Sequence, residues 1–304
     1  MEAIRLTPQV LSGQLIDNID NQVTLISDLQ EQISTGYKVV QPSEDPAEAV
    51  NIMQLQSAYA RAKQYVKNAE NGEAWLQSAN STLNSVLDEL QKVSQVVEST
   101  DIAEDQGAQA LNALATQVLD ARQVILNLAN TTYNGQPIFA GTANTTVAYD
   151  ANGRYQGGGP PPTVTVASGV QVAIATTGPQ VFGSGTTGLL SNTPGDLGIL
   201  AQIAQDLQDG NVAAATGTDL QHLQAAIANV EQQAAVVGAH YDHIQTLTNQ
   251  AKSTQAAIEG ELAGVQDINI AKATTNLEAL QQSYQASLWA TSRLYQYSLV
   301  NFLG

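Results

Sequence analysis

From Leu220 to Val265 the chain can be read in alternating steps of three and four. Leu220, Leu223, Ile227, Val230, Ala234, Val237, Tyr241, Ile244, Thr248, Ala251, Gln255, Ile258, Leu262 and Val265 fall on one seam, and twelve of these fourteen are apolar or tyrosine. A seam of this period is the a/d edge of a coiled-coil helix and demands a partner helix laid alongside it. The register fails at Gln266–Asn269, where the next seam positions would be Asn269, Lys272 and Asn276. A shifted apolar set then takes over at Ile270, Leu277, Leu280, Tyr284, Leu288, Tyr295, Leu299 and Phe302. Two helical segments therefore abut, each needing its own partner. From Ala279 onward the second carries a single charged side chain, Arg293, which is not the pattern of a solvated face.

The N-terminal half supplies matching partners. Ile16, Ile19, Val23, Ile26 and Ile33 repeat at the same spacing, and Leu15, Leu25 and Leu29 widen the stripe. Ser34-Thr35-Gly36 ends that helix, since Gly36 can take the left-handed conformation beyond a helix C-terminus. After an irregular stretch, Asp45 is a good N-cap, Pro46 suits the first helical position, and Glu48 is placed to close a capping box. A second long register follows through Ile52, Leu55, Tyr59, Ala62, Val66, Ala69, Glu73, Leu76, Asn80, Leu83, Leu87, Leu90, Ser94 and Val97. At 1.5 Å per residue it predicts a rod of roughly 75–80 Å. Asp101–Gly107 reads as a turn, and Leu111, Leu114, Val118, Ile125 and Leu128 mark a third helix.

At Asn134 the helical period stops. Thr163–Val166 and Val170–Ile174 alternate as strands do, with Ser168-Gly169 as the turn between them. A shorter helix over about Pro194–Gln208 leads back to the long C-terminal pair. The fold class expected is mainly α: an elongated bundle of long antiparallel coiled-coil helices with a small β-rich insert. Three domains follow: residues 1–40 with 266–304, residues 41–134 with 195–265, and the insert 135–194. The simplest closure packs the Ile16–Ile33 helix on the Ile270–Phe302 helix, and the Ile52–Val97 rod on the Leu220–Val265 rod.

Composition narrows the function. With 11 Lys+Arg against 28 Asp+Glu the net charge is −17, which argues against nucleic-acid phosphate as a partner. Charged residues are only 13%, where about a quarter is usual, so much of the surface is suited to contact with protein. There is no cysteine, hence no disulfide or thiol chemistry. No apolar run approaches the roughly 20 residues of a membrane span, so no membrane insertion is expected. Met1-Glu2-Ala3-Ile4-Arg5 lacks the basic and apolar regions of a cleaved secretory signal.

Sites of chemistry are scarce. His240-Tyr241-Asp242-His243 puts two histidines three apart on a helix, with no third ligand near in sequence, and Tyr241 already belongs to the seam. No nucleophile elbow, zinc-protease helix or phosphate-binding loop occurs. No enzyme, metal or cofactor is expected. Asn80, Asn130 and Asn144 begin glycosylation-type triplets, which arise easily in an Asn/Thr-rich chain; serines and threonines of the insert are at least as plausible as glycan sites. Trp75 and Trp289 are expected as packing anchors.

Several words in this layout resemble those of the flagellin superfamily of bacterial axial proteins. Ser34-Thr35-Gly36-Tyr37-Lys38-Val39 and Pro42-Ser43-Glu44-Asp45-Pro46-Ala47 resemble its N-terminal signature, with Tyr37-Lys38 and Glu44 as departures. Asn134-Gly135-Gln136-Pro137-Ile138-Phe139-Ala140-Gly141-Thr142, Leu280-Gln281-Gln282-Ser283-Tyr284-Gln285-Ala286 and the ending Ser298–Leu303 are similar to the branch at the junction of hook and filament. Asp267–Lys272 keeps only part of an acidic family word. The resemblance implies a structural subunit without catalysis, exported unfolded through the flagellar type III apparatus with no cleaved signal. It implies an extracellular place in the flagellum. Implied partners are copies of the chain itself, the adjoining hook-associated junction protein, the flagellin filament, and a cytoplasmic export chaperone on the C-terminal helix. The expected helix-pairing and subunit interface is Ile16, Ile19, Val23, Ile26, Ile33, Ile270, Leu277, Leu280, Tyr284, Leu288, Tyr295, Leu299 and Phe302. Residues 1–40 and 265–304 are expected to be weakly helical in the free monomer and to order on assembly. The alternatives are a short filament flagellin or, in a different class, a secreted coiled-coil adhesin or tip protein.

Overall fold

Heptad seams become long helices wherever the sequence carries them. In a computed structural model, which describes residues 8–100 and 107–303 with side chains from 13 to 293, the helices are α1 (Pro8–Thr35), α2 (Pro46–Glu98), α3 (Ala108–Ala129), α4 (Gly178–Phe182), α5 (Ile199–Gln208), α6 (Val212–Ala214), α7 (Leu220–Gln266) and α8 (Ile270–Leu303). The strands form three two-stranded antiparallel hairpins: β1 (Thr132–Tyr133) with β2 (Gln136–Pro137), β3 (Thr163–Ala167) with β4 (Val170–Ala173), and β5 (Asn192–Thr193) with β6 (Asp196–Leu197). The fold is therefore mainly α with a small β-containing insert. The turn expected at Asp101–Gly107 lies largely outside the described residues. The chain divides into two units, Met1–Arg61 with Gln255–Gly304 and Ala62–Thr254, with α2 and α7 shared between them.

In the larger unit α2 and α7 run antiparallel. Glu70 of α2 meets Lys252 of α7 at 2.8 Å, and Glu73 accepts a 3.4 Å hydrogen bond from the Tyr241 hydroxyl. Every seam position that periodicity assigns to α2 between Ala62 and Val97, and to α7 between Leu220 and Ala251, is buried or half-buried. The core continues through Leu111, Ala115, Val118 and Ile125 of α3 and Leu200, Ile203, Ala204 and Leu207 of α5. Hairpin β3–β4 lies on the α2–α7 pair at Gly72: a Cβ there would stand 2.5 Å from Ile244 Cδ1 and 3.0 Å from both Ile174 Cγ2 and Val164 Cγ2. Asn68 Nδ2 ties the hairpin down by donating to the Thr165 carbonyl at 3.0 Å. The Ser168-Gly169 turn is present, with a register shift between Thr165 and Ala167 that the alternation does not reveal.

Asn134-Gly135 turns the first hairpin with φ of 49° and 78°, the doubly positive pair that suits a tight two-residue connection. Directly after it Ile138, Phe139 and Ala140 are buried, and Phe139 stacks edge-on against Phe182 at 5.4 Å. The helix expected from Pro194 begins later. Pro194-Gly195 instead turns β5 into β6, with Gly195 at φ 83°, and the helix starts at Ile199. Proline sets the first turn position and glycine takes the positive φ, so the local turn chemistry prevails over the apolar period that follows.

The smaller unit holds α1, the first part of α2, the end of α7, and α8. Asp45 caps α2, accepting from the Ala47 and Glu48 amides at 3.1 and 2.9 Å. Glu48 does not close the reciprocal box; its Oε1 accepts from Lys38 Nζ at 2.7 Å. Glu44 Oε2 accepts from the Val40 amide at 3.1 Å, so both acidic residues hold the connecting segment rather than the helix start.

Candidate assembly surface

The failure of the heptad at Gln266–Asn269 is a physical break between two helices. α7 ends at Gln266 and α8 begins at Ile270, with Asn269 Oδ1 capping the Lys272 amide at 3.0 Å. The break is clamped to the end of α1. Gly36 has φ 78°, Lys38 N donates to the Gln266 carbonyl at 2.8 Å, and Ile268 N donates to the Gly36 carbonyl at 2.9 Å. Tyr37 and Asp267 pair there as an isolated antiparallel bridge. Residues 36–38 and 266–268 thus join the end of α1 to the break between α7 and α8.

From this joint α1 and α8 lie side by side and antiparallel, with Gln22 Nε2 donating to Ser283 Oγ at 3.1 Å. The half-buried line on α1 is Leu15, Ile19, Gln22, Ile26, Leu29 and Ile33. On α8 the corresponding line is Ala273, Leu277, Leu280, Tyr284, Ser287 and Thr291, of which only Ala273 is fully buried. Both lines step by four and three, so each helix presents one heptad edge to the other. Of the residues named from the sequence, Ile19, Ile26, Ile33, Leu277, Leu280 and Tyr284 belong to this contact. Ile16, Val23, Ile270 and Leu288 do not; they are 44%, 46%, 56% and 41% exposed. The side chains of Tyr295, Leu299 and Phe302 lie outside the described residues.

Leu25, read from the sequence as part of a widened stripe, is 50% exposed. Trp289, expected as an anchor, is 73% exposed, whereas Trp75 is buried against Tyr133 with ring centroids 5.6 Å apart. Val50 and Met53 near the start of α2 are also open to solvent. A stripe broader than one seam was visible in Leu15, Leu25 and Leu29 beside the isoleucines, but nothing local to the sequence says which part of it the chain itself covers. Beyond the edge that pairs them, α1 and α8 therefore leave large apolar groups exposed on more than one face.

Elsewhere, chemistry finds little purchase among the described residues. His240 is half-buried and His243 exposed, and no three His, Asp or Glu side chains gather with metal-ligand spacing. Asn80 is half-buried in the α2 seam. Both polar atoms of the Asn130 side chain bond backbone: Oδ1 accepts from the Ala148 and Tyr149 amides, both at 2.8 Å, and Nδ2 donates to the Tyr149 carbonyl at 2.9 Å. Of the three asparagines only Asn144 is exposed.

Comparison with known proteins gives the same two regions. Residues 8–144 match the bacterial flagellin N-terminal helical region, and residues 220–303 match the flagellin C-terminal helical region. The chain belongs to the bacterial flagellin family. Among curated relatives it is similar to flagellar hook-associated protein 3 of Salmonella typhimurium, 26% identical over 306 residues that span 93% of this chain and 95% of that protein. It is 29% identical to flagellar hook-associated protein 3 of Escherichia coli over 197 residues, 63% of this chain and 61% of the relative. A solved structure of a flagellar hook-associated protein from Vibrio parahaemolyticus shares the fold, with a TM-score of 0.63 at 18% identity over 74% of this chain and all of the other. The flagellin matches enclose the helical joint and both terminal helices, and they leave out residues 145–219, where β3–β6 and α4–α6 lie. No described helix is long and apolar enough to cross a membrane.

Proposed function

We propose that this chain is a structural subunit of the bacterial flagellum that joins hook to filament and assembles through its terminal helices after export. The observation that carries the reading is the set of large apolar groups that α1 and α8 leave in water on either side of the seam that pairs them: Ile16 and Val23 on one flank of α1 and Leu25 on the other, with Ile270, Leu288 and Trp289 on α8. An isolated protein gains nothing from six large exposed apolar groups on two helices, whereas neighbouring copies would remove them from water. Similarity to two hook-associated proteins, one of them along 93% of the chain, supports the junction role rather than a general filament role. In this reading residues 1–40 with 266–304 form the innermost layer, residues 41–134 with 195–265 the next, and residues 135–194 face outward. The partners are copies of the chain, the adjoining hook-associated protein and flagellin, with an export chaperone on α8 beforehand. The chain performs no catalysis, leaves the cell without cleavage of a signal, and resides outside the cell.

Immunogold electron microscopy of intact flagella, with an antibody to residues 145–190, tests the assignment. Label confined to a short band between hook and filament is expected. Label along the whole filament would make the chain a filament flagellin, and no label on any flagellum would reinstate an adhesin.

A further inference from the structure

The β5–β6 hairpin supplies Asp196 to the wall of a cavity of about 260 Å³ in the larger unit, where Tyr149, Arg154, Tyr155, Ser184 and Ser191 also stand. That volume falls below the roughly 300–1,000 Å³ of drug-sized sites, so it suits a molecule of few heavy atoms. The Gly183–Gly188 loop on another side folds tightly without side chains. A Cβ on Gly183 would stand 2.8 Å from Gly188 Cα, one on Gly188 2.8 Å from Ser184 N, and one on Gly185 3.2 Å from Asp196 Oδ1. Tyr149 and Tyr155 make the apolar side, with ring centroids 5.3 Å apart and the Tyr155 hydroxyl donating to the Phe139 carbonyl at 3.1 Å. Two opposite charges, Arg154 and Asp196, share this space without meeting, since the ion pairs of the described residues are Lys38–Glu48, Lys92–Glu89 and Lys252–Glu70. Among the described residues Arg154 uses only Nε, which donates to Thr193 Oγ1 at 3.1 Å. Asp150, close in sequence, is held elsewhere: Oδ1 accepts from the Asn152 and Arg154 amides at 2.9 Å, and Oδ2 from Gln156 Nε2 at 3.0 Å. Ser191 Oγ donates to the Asp196 carbonyl and lies 3.5 Å from Oδ2, so the Asp196 carboxylate has no close donor among the described residues. Thr193 and Asp196 are directly opposed across the hairpin, which sets their side chains on one face, about 5 Å apart at Cβ. Arg154, anchored on Thr193, therefore presents its charge beside that of Asp196.

We propose that this cavity binds a free α-amino acid, with its carboxylate on the Arg154 guanidinium, its ammonium on the Asp196 carboxylate and its side chain against Tyr149 and Tyr155. An anion alone would be repelled by Asp196 and a cation alone by Arg154. An α-amino acid carries both charges on one carbon, which matches two opposite charges held side by side on one hairpin face. The terminal nitrogens of a guanidinium take a carboxylate through two parallel N–H donors, and those of Arg154 are uncommitted among the described residues. A neutral molecule of the same size would leave both charges uncompensated. Once bound, the amino acid bridges three segments far apart in sequence: the Tyr149–Tyr155 turn, the Gly183–Gly188 loop and β5–β6. It therefore stabilises the insert by mass action. No residue of α1 or α8 takes part, so the site stands apart from the apolar groups assigned to assembly.

Isothermal titration of the full-length protein with each of the twenty genetically coded amino acids tests the site. At least one should bind, and Arg154→Met and Asp196→Asn should each weaken it by about tenfold to a hundredfold, the loss of one charge-assisted contact. Arg154 is exposed and Asp196 half-buried, so both variants should fold, which circular dichroism and thermal unfolding without ligand check. The amide and the N-acetyl derivative of the same amino acid each lack one charge, and should lose as much affinity on the unmutated protein. Saturating amino acid should raise the thermal midpoint of the unmutated protein and leave both variants where they were. No binding by any of the twenty, binding that either variant retains unchanged, or equal affinity for either blocked derivative would overturn the assignment.

Discussion

Replacing Asn130 with alanine removes three hydrogen bonds at once. Its amide ties the end of α3 to the Ala148–Tyr149 backbone by two accepted bonds at 2.8 Å and one donated bond at 2.9 Å. Ala148 and Tyr149 are almost wholly buried, so their backbone groups have no immediate access to solvent. Each hydrogen bond contributes about 1 kcal/mol net, and a buried group left without a partner costs about 1–3 kcal/mol. Asn130 itself is half-buried, so water can reach part of the gap and the lower end applies; the expected loss is about 3–4 kcal/mol. Asn130→Asp keeps the two acceptor bonds but sets an oxygen against the Tyr149 carbonyl, and should cost less, about 1–2 kcal/mol. Urea unfolding read by the fluorescence of buried Trp75, in a Trp289→Phe background, measures both. The midpoint should fall while the slope stays constant. An Asn130→Ala variant within about 1 kcal/mol of the parent, or an aspartate variant weaker than the alanine one, would refute the account of this contact.

Gly153 has φ 75°, and a Cβ there would overlap the Leu190 carbonyl and approach Arg122 Nη2 at 3.1 Å; Gly153→Ala should cost about 3–5 kcal/mol in thermal unfolding, with the α1–α8 pair unaffected. Leu280→Asp sets a charge on a half-buried seam, so secretion should persist while motility and hook-to-filament joining fail; normal flagella would remove Leu280 from the interface. Lys38→Ala should cost under about 1 kcal/mol, because the Lys38–Glu48 pair, with side chains 55% and 22% exposed, is screened by water. Acrylamide should quench Trp289 strongly in the monomer and weakly after assembly, while quenching in both states would leave Trp289 outside any subunit contact. Amide exchange should be fast in α1 and α8 of dilute monomer, since their mutual seam holds little fully buried side chain, and slow once subunits cover the second edge.

The long helices, their antiparallel pairing and the break between α7 and α8 were legible in the residues alone. Fourteen consecutive seam positions define a helix face whatever lies beside it, and Asn269, Asp45 and the Asn134-Gly135 pair mark boundaries through bonds made within a few residues. What the sequence left open was which of two neighbouring apolar edges each terminal helix uses within its own chain. Ile16 and Leu15 differ by one position, and a stripe this wide is compatible with either edge; only the partner helix, set in register by the clamp at Gly36 and Ile268, selects Leu15 and leaves Ile16 exposed. For the same reason Glu48 was read as a box residue and bonds Lys38 instead. Short-range bonds and periodic burial are properties of the chain, whereas the choice between equivalent faces and the juxtaposition of distant charges belong to the tertiary structure.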